Sequence, residues 1–253
     1  LRGPAIDVRR GANVDLLGAD AEAVQGGSGF DLAWTERNGV VVPADQQSFE
    51  ALSMYRHLER AIGLLALDGD PLERGWKPVR PIRVLYLPRM DSMLGDLRAA
   101  FTDNAAYEFT SRSFLALPPF LATTSPLMLN AGVVGHELGH AVIHELMFGD
   151  VPSVPVLADA DADVKASRHL RSLHEGVADV LGYAVTGDPD FIDLGAIAVD
   201  RDMAEGRDLT EDDVTFVEQP GEDEIPLVAQ FDPYRVGTIL ARLVHEVWTA
   251  VSP

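Results

Sequence analysis

Residues 131–147 read AGVVGHELGHAVIHELM, and the five residues at their centre, His136-Glu137-Leu138-Gly139-His140, decide how the rest of the chain is interpreted. Apolar residues surround this motif almost all round a helical projection. They predict a buried helix that starts near Leu127–Ala131 and ends at about Met147. Two histidines four apart lie on one face of such a helix. Both imidazoles can then reach one metal ion at the bond length of about 2.0–2.1 Å that Zn²⁺ prefers.

Glu137 follows the first histidine directly, where its carboxylate can take a proton from a metal-bound water. Three specified residues occur by chance in a chain of this length on the order of a few per cent of the time, so the surrounding sequence has to decide. A catalytic zinc also needs a third protein ligand and an open position. The sequence therefore predicts that another segment supplies that ligand.

The segment LHEGVADVLGY, residues 173–183, offers Glu175 and Asp179 four apart on a helix predicted from about Ser167 to Val185. An otherwise apolar helix rarely turns two carboxylates inward without a cation to meet them. One carboxylate can bind the metal while the other accepts the outer N–H of a ligating histidine. The alternative is a solvated acidic face.

HELGH followed by HEGVAD resembles the thermolysin and fungalysin group of metallopeptidases, the gluzincins. The resemblance implies zinc held by His136, His140 and Glu175, with Asp179 orienting a ligand histidine. It also implies an α+β, zincin-like fold. An N-terminal α/β lobe (residues 1–148) would carry the HELGH helix and pack on a mainly helical C-terminal lobe (residues 149–253) with the third ligand. By the same resemblance the protein is expected to be secreted or in the cell envelope.

Two further segments carry the resemblance to the substrate side of the site. Asn104-Ala105-Ala106-Tyr107 is similar to the edge strand whose Asn and Ala bind substrate backbone by strand addition. Arg201-Asp202-Met203 is similar to the segment whose Arg hydrogen-bonds a substrate carbonyl. That group also holds the oxyanion with a His near the final helix and often with a Tyr between the two motifs. This chain has no Tyr there, and residues 231–237, FDPYRVG, offer Tyr234 and Arg235 as donors instead.

These residues predict a zinc-dependent endopeptidase that acts on peptide or protein substrates, with Glu137 as general base. The alternative is a catalytically impaired, gluzincin-like zinc-binding domain with a binding or assembly role, which the missing histidine favours. A third interpretation is a chance HELGH in a structural protein, and an absence of bound metal would support it.

Composition narrows the classes of partner. The formal net charge of −20 argues against nucleic acid or an anionic membrane, because neither offers counter-charge to an acidic surface. The absence of cysteine excludes disulfides and thiolate metal sites. No apolar stretch approaches the roughly 18 residues that a membrane span needs. The first residue is Leu1, with no signal-peptide pattern, which predicts a trimmed or mature fragment. Oligomeric state stays open.

The remaining patterns are weaker. Asp159, Asp161 and Asp163 alternate as in a calcium loop, but Val164 stands where an EF-hand needs Gly, so a solvated loop is favoured and Ca²⁺ lacks a clear motif. His144 is predicted to be a packed residue and His174 to point to another side of its helix. His245 is a weaker candidate for a catalytic donor. Elsewhere we expect irregular chain with short strands over 1–45, a helix over 48–67, strands at 82–87, 104–110 and 113–117, and a last helix from about Tyr234.

Overall fold

A six-stranded β-sheet and four helices dominate the part of the chain described by a computed structural model, residues 1–14, 24–66, 75–90, 105–109, 111–117, 126–149, 164–192, 201–205 and 233–251. The architecture is mixed α+β, as the sequence predicted. The division into lobes at residues 148 and 149 stays a prediction.

The sheet mixes parallel and antiparallel neighbours in the order β2-β1-β5-β8-β7, with β6 beside β1. Neighbours β1/β5 and β5/β8 are parallel, whereas β1/β2 and β7/β8 are antiparallel. The strands are β1 (Ile6–Val14), β2 (Val24–Gly29), β5 (Ile82–Tyr86), β6 (Arg89–Met90), β7 (Ala105–Glu108) and β8 (Ser113–Ala116), and β3 (Trp34–Arg37) with β4 (Val40–Pro43) forms a separate pair. Strand β7 therefore lies at an edge of the described sheet.

Four α-helices accompany the sheet in these residues: α1 (Gln46–Leu65), α2 (Ala131–Ile143), α3 (Val164–Thr186) and α4 (Pro233–Val251). They correspond to the four helices that the sequence predicted. A 3₁₀ turn at Leu127–Leu129 precedes α2, and a π-helical turn at His144–Phe148 continues it. The HELGH helix thus changes its winding just beyond the second histidine.

The expectation of irregular chain with short strands over residues 1–45 is wrong for β1. This strand has nine residues and lies between β2 and β5, inside the sheet. Ile6, Val8, Ala12 and Val14 are buried along it. Gly11, which made the stretch look like a turn, adopts a φ of +71° inside the strand. Glycine reaches that conformation without a Cβ clash, so the strand continues through it.

Side-chain caps fix the starts of α1 and α2. Asp45 accepts a hydrogen bond from the Ser48 amide, 2.7 Å away, at the start of α1. Asn130 accepts from the amides of Gly132 and Val133 at the start of α2, at 2.8 and 3.3 Å. Such caps satisfy amide groups that no helical carbonyl can reach. The start of the HELGH helix is therefore set by one asparagine.

Several predicted segments lie outside the described residues: Asn104, the loop at 151–156, Asp159, Asp161 and Asp163, and the acidic stretch at 211–224. None of the described helices is both long and apolar enough to cross a membrane.

Candidate metal centre

Three buried side chains on two helices bring their donor atoms together. The Nε2 atoms of His136 and His140, one turn apart on α2, lie 3.2 Å from each other. Oε2 of Glu175, on α3, lies 3.4 Å from the first of these nitrogens and 3.7 Å from the second. All three side chains are buried, and no other group of this kind occurs among the described residues. The two motifs of the sequence therefore meet in space.

The spacing of these atoms fits one small metal ion. A tetrahedral ion with bonds of about 2.0–2.1 Å holds its ligand atoms about 3.3–3.4 Å apart. The three observed separations bracket that value. Two imidazoles and one carboxylate are also a donor set that zinc accepts. The residues present thus fit a zinc ion.

A close approach of two helices makes this geometry possible. A Cβ built on Gly139 of α2 would stand 2.6 Å from Cα of Ala178 on α3, nearer than real Cβ contacts come. Gly139 lies between the two histidines, and Ala178 lies one turn beyond Glu175. The glycine in HELGH is therefore where α3 packs against α2, and it brings the carboxylate to the imidazoles.

Asp179 and Arg201 surround the triad with charged hydrogen bonds. Nδ1 of His136 donates to Oδ1 of Asp179 across 2.9 Å, which is the geometry that the sequence predicted for an orienting carboxylate. Arg201 donates to that same oxygen at 2.6 Å and to Oε2 of Glu175 at 3.3 Å. Its guanidinium is buried and holds both carboxylates. The predicted role of Arg201 in binding a substrate carbonyl stays a prediction.

The two histidines have opposite electrostatic environments. Burial and the charge of Arg201 act to lower the pKa of His136, but hydrogen bonds to Asp179 and Glu175 raise this pKa to about 9. Burial and the neighbouring His136 lower the pKa of His140 to about 3. Burial acts to raise the pKa of Glu175, yet its hydrogen bond with His136 and the nearby charges hold it well below its usual range. His140 therefore offers a neutral nitrogen and Glu175 a carboxylate.

Glu137 lies in the same buried region. Burial, the largest cause, and the charge of Glu175 together raise the pKa of its carboxyl to about 7, against the effect of His136 and a hydrogen bond from the Tyr107 amide. A carboxyl group of this kind is poised to gain and lose a proton near neutral pH. That property suits the general base that the sequence predicted.

Only some of the residues predicted on the substrate side belong to the part of the chain that the structure describes. Ala105 is buried and begins β7 at the sheet edge, next to Asn104, which lies outside the described residues. Tyr234 is half-buried, and Cζ of Arg201 lies 4.8 Å from the centroid of its ring. Its hydroxyl accepts a hydrogen bond from Arg171 at 3.1 Å. Arg235 is exposed. Tyr234 thus borders the centre, and the predicted oxyanion donors stay predictions.

Sequence reasoning missed an aromatic cluster behind His140. His174 was predicted to point to another side of α3, and this is wrong: its ring is buried, with its centroid 6.1 Å from that of His140. Phe109 and Phe148 pack on His174 at 5.6 and 5.7 Å between centroids. The turn of α3 that carries Glu175 packs closely on α2, so the preceding residue is also turned inward. The apolar residues around both motifs were the available signal.

Two further histidines, His144 and His245, contact aromatic residues. His144 is buried, as predicted, and its Nδ1 lies 3.0 Å from the Tyr107 hydroxyl. His245 on α4 packs edge-on against Tyr183, with 4.9 Å between ring centroids. These contacts hold both rings within the fold.

The chain thus has the geometry of a metal centre built on a HELGH helix and one carboxylate from a second helix. No model of a protein family and no curated protein matches the sequence. Among solved structures, the chain is similar to the precursor of protealysin, a metalloproteinase from Serratia proteamaculans, at 15% identity and a TM-score of 0.37. The match covers 73% of this chain and 46% of the protealysin precursor, so this chain spans less than half of the precursor's length. A likeness this distant assigns no family.

Proposed function

We propose that this chain is a zinc-dependent endopeptidase. The observation that carries the proposal is the convergence of His136, His140 and Glu175 with Glu137 buried beside them. The resemblance of HELGH and HEGVAD to the gluzincin motifs agrees with that arrangement. The proposal concerns the reaction class, hydrolysis of a peptide bond.

The protein's own residues would hold the metal rigidly. When bound, zinc lowers the pKa of a water molecule toward about 7 and polarises a carbonyl group. Asp179 fixes the ring of His136, and Arg201 holds both Asp179 and Glu175 in place. Because every one of these side chains is buried, bulk water would not compete for their hydrogen bonds.

Glu137 would carry the proton. Its carboxylate accepts a proton from the attacking water and gives it to the nitrogen of the leaving amine. The raised pKa of Glu137, about 7, suits both steps of this transfer, because near neutral pH the carboxyl group can both accept a proton and release it. A glutamine at this position could do neither.

Strand β7 would bind the substrate backbone. It lies at an edge of the described sheet, where strand addition can occur. Asn104 and Ala105 at its start would align the peptide, and Arg201 would contact a carbonyl beyond the cleaved bond. Tyr234 or Arg235 would donate to the oxyanion. Losing such a donor typically lowers the rate about a hundred- to a thousand-fold.

A second candidate is a zinc-binding domain without peptidase activity. One contact favours it: Arg201, which the first candidate needs for a substrate carbonyl, already donates to two carboxylates. Both candidates predict one zinc per chain. Only the first predicts cleavage.

The two candidates separate in one experiment on the zinc-loaded chain. Cleavage of a broad peptide library is measured for the wild type, for Glu137→Gln and for Glu59→Gln, a control on α1 with an exposed side chain. The peptidase proposal expects cleavage that a chelator stops, that Glu59→Gln keeps and that Glu137→Gln loses while zinc is retained. If the wild type cleaves nothing, or if Glu137→Gln cleaves equally well, the peptidase proposal is wrong.

A further inference from the structure

Buried polar atoms without a hydrogen-bond partner gather around the triad. Within the described residues they include one nitrogen of His140, both ring nitrogens of His174, one oxygen of Asp179 and one nitrogen of Arg201. Buried polar groups nearly always have partners, so such a concentration calls for an explanation. Each atom lies on a side chain of the triad or of its immediate surroundings.

Two of these atoms complement each other. Arg201 Nε is a donor and Asp179 Oδ2 is an acceptor, and the same two side chains already meet through Nη2 and Oδ1 at 2.6 Å. A small rotation makes this pair bidentate, which is the preferred geometry of an arginine with a carboxylate. The nitrogens of His140 and His174 that lack a hydrogen-bond partner remain to be explained.

Metal binding at Nε2 determines where His140 carries its ring proton and therefore which hydrogen-bond partner it needs. Its Nε2 faces the metal position, so the proton of the neutral ring must lie on Nδ1. That N–H is buried and has no acceptor among the described residues. His136 is served differently, because its Nδ1 already donates to Asp179. A hydrogen bond to Asp179 therefore orients His136, whereas His140 lacks an equivalent acceptor.

His174 is the neighbour that can supply this acceptor. It is 4% exposed, and its ring lies 6.1 Å from the His140 ring, with the two planes inclined by 23°. A small shift or one water molecule spans this separation. Phe109 meets the His174 ring edge-on and Phe148 stacks on it, and these apolar rings offer its nitrogens no conventional hydrogen bond.

We propose that His174 is a positioning residue for the metal centre. It accepts the Nδ1 proton of His140, directly or through one water, and so fixes the ring orientation in which Nε2 faces the metal. It does for His140 what Asp179 does for His136. This inference rests on the metal site of the proposed function but not on peptidase activity.

Zinc affinity tests the assignment, measured by competition with a chromophoric chelator on the full chain. His174→Phe keeps an aromatic ring among Phe109 and Phe148 but removes the acceptor. It should weaken zinc binding about 10- to 100-fold, the usual effect of losing such a partner. His174→Gln restores an acceptor oxygen and should recover most of the affinity. The absorption spectrum of bound Co²⁺ should change in the same order, because it reports ligand geometry.

The matched control is His144→Phe. His144 is 1% exposed and packs on the same two phenylalanines, but its Nδ1 faces the Tyr107 hydroxyl rather than His140. It should bind zinc and Co²⁺ as the wild type does, even if it unfolds at a lower temperature. Equal affinity for His174→Phe and wild type overturns the proposal, and so does an equal loss in His144→Phe. A wild type that binds no zinc overturns the proposed function as well.

Should His174→Phe fail to fold, the zinc-loaded wild type still tests the proposal. Its ¹⁵N-labelled imidazoles should show a slowly exchanging proton on Nδ1 of His140, shifted downfield by hydrogen bonding. His174→Gln should move that resonance. A rapidly exchanging proton, or a resonance that His174→Gln leaves in place, overturns the assignment.

Discussion

Oδ1 of Asp179 accepts two hydrogen bonds at once, from Nδ1 of His136 at 2.9 Å and from Nη2 of Arg201 at 2.6 Å. One oxygen atom therefore connects a metal-ligand candidate on α2 with a cation from a distant part of the chain. Asp179 is only 1% exposed, so neither donor has bulk water as a substitute partner. The orientation of His136 and the burial of Arg201 depend on the same charge.

Asp179→Asn should weaken both zinc binding and folding. The amide keeps the shape but loses the charge that holds Arg201. We expect zinc affinity to fall about 10- to 100-fold and the free energy of unfolding to fall by about 3 kcal/mol. Chelator competition and urea unfolding measure the two. Asp188→Asn, at an exposed position after α3, should change neither; a similar loss there would contradict the role given to Asp179.

Zinc should stabilise the folded chain in proportion to its affinity. An ion that binds only the folded state adds about 2.7 kcal/mol at a concentration one hundred times its dissociation constant. Thermal unfolding with zinc and with excess chelator should show this as a rise in the midpoint. His140→Ala should abolish the rise, whereas His169→Ala, at an exposed position of α3, should keep it. A zinc-dependent rise that survives in His140→Ala would place the ion elsewhere.

Alkaline pH should destabilise the fold through Tyr86. Its hydroxyl donates to the buried Glu50, and burial, followed by that hydrogen bond, raises the pKa of Tyr86 above the ordinary value of 10.0. A group whose pKa is raised in the folded state stabilises fully below the unfolded value and loses that contribution as pH rises above it. The unfolding free energy should therefore decline above about pH 10.

Tyr86→Phe separates this effect from other alkaline titrations. The variant should lose about 1–3 kcal/mol at neutral pH, because Glu50 keeps its burial but loses a donor. Above about pH 10 its unfolding free energy should fall less steeply than that of the wild type. Urea unfolding across the pH range measures both. Parallel curves for the two proteins would exclude the contribution of Tyr86.

Gly139→Ala should push apart the two helices, α2 and α3, that carry the His136, His140 and Glu175 triad. The added Cβ would stand 2.6 Å from backbone of α3 at Ala178, so one helix must move. We expect a loss of about 1–3 kcal/mol in unfolding free energy, together with weaker zinc binding. Gly63→Ala on α1 is the control, because a Cβ there meets nothing within 4 Å. It should be neutral or stabilising by about 0.5–1 kcal/mol, and zinc affinity should not change.

The sequence predicted the helices from periodicity, whereas the choice of Glu175 as the third ligand came from the resemblance of HEGVAD to the gluzincin motif. Spacing alone places His136 and His140 on one face of α2, and it places Glu175 and Asp179 together on α3. The apolar surroundings then required both helices to be buried. Helical spacing and apolar periodicity are local properties, so they can be recognised in a single sequence.

Other features depend on contacts between distant parts of the chain. The long strand β1 was missed because Gly11 reads as a turn signal, although its positive φ is accommodated inside a strand flanked on both sides. The inward direction of His174 follows from the close approach of α3 to Gly139, which no helical projection of α3 alone contains. The hydrogen bonds of Arg201 to both Glu175 and Asp179 likewise depend on where residue 201 lies relative to α3, which the sequence does not show.

The position of the triad also affects how the chain would unfold. His140 and Glu175 belong to helices separated by a long connecting segment, so an ion bound to both would close that segment into a loop. In a chain without cysteine, such a coordination bond takes the place of a disulfide, since it restricts the unfolded chain as a covalent link does. Unlike a disulfide, it is released by protons or a chelator. Metal supply would then govern how long the protein survives proteolysis.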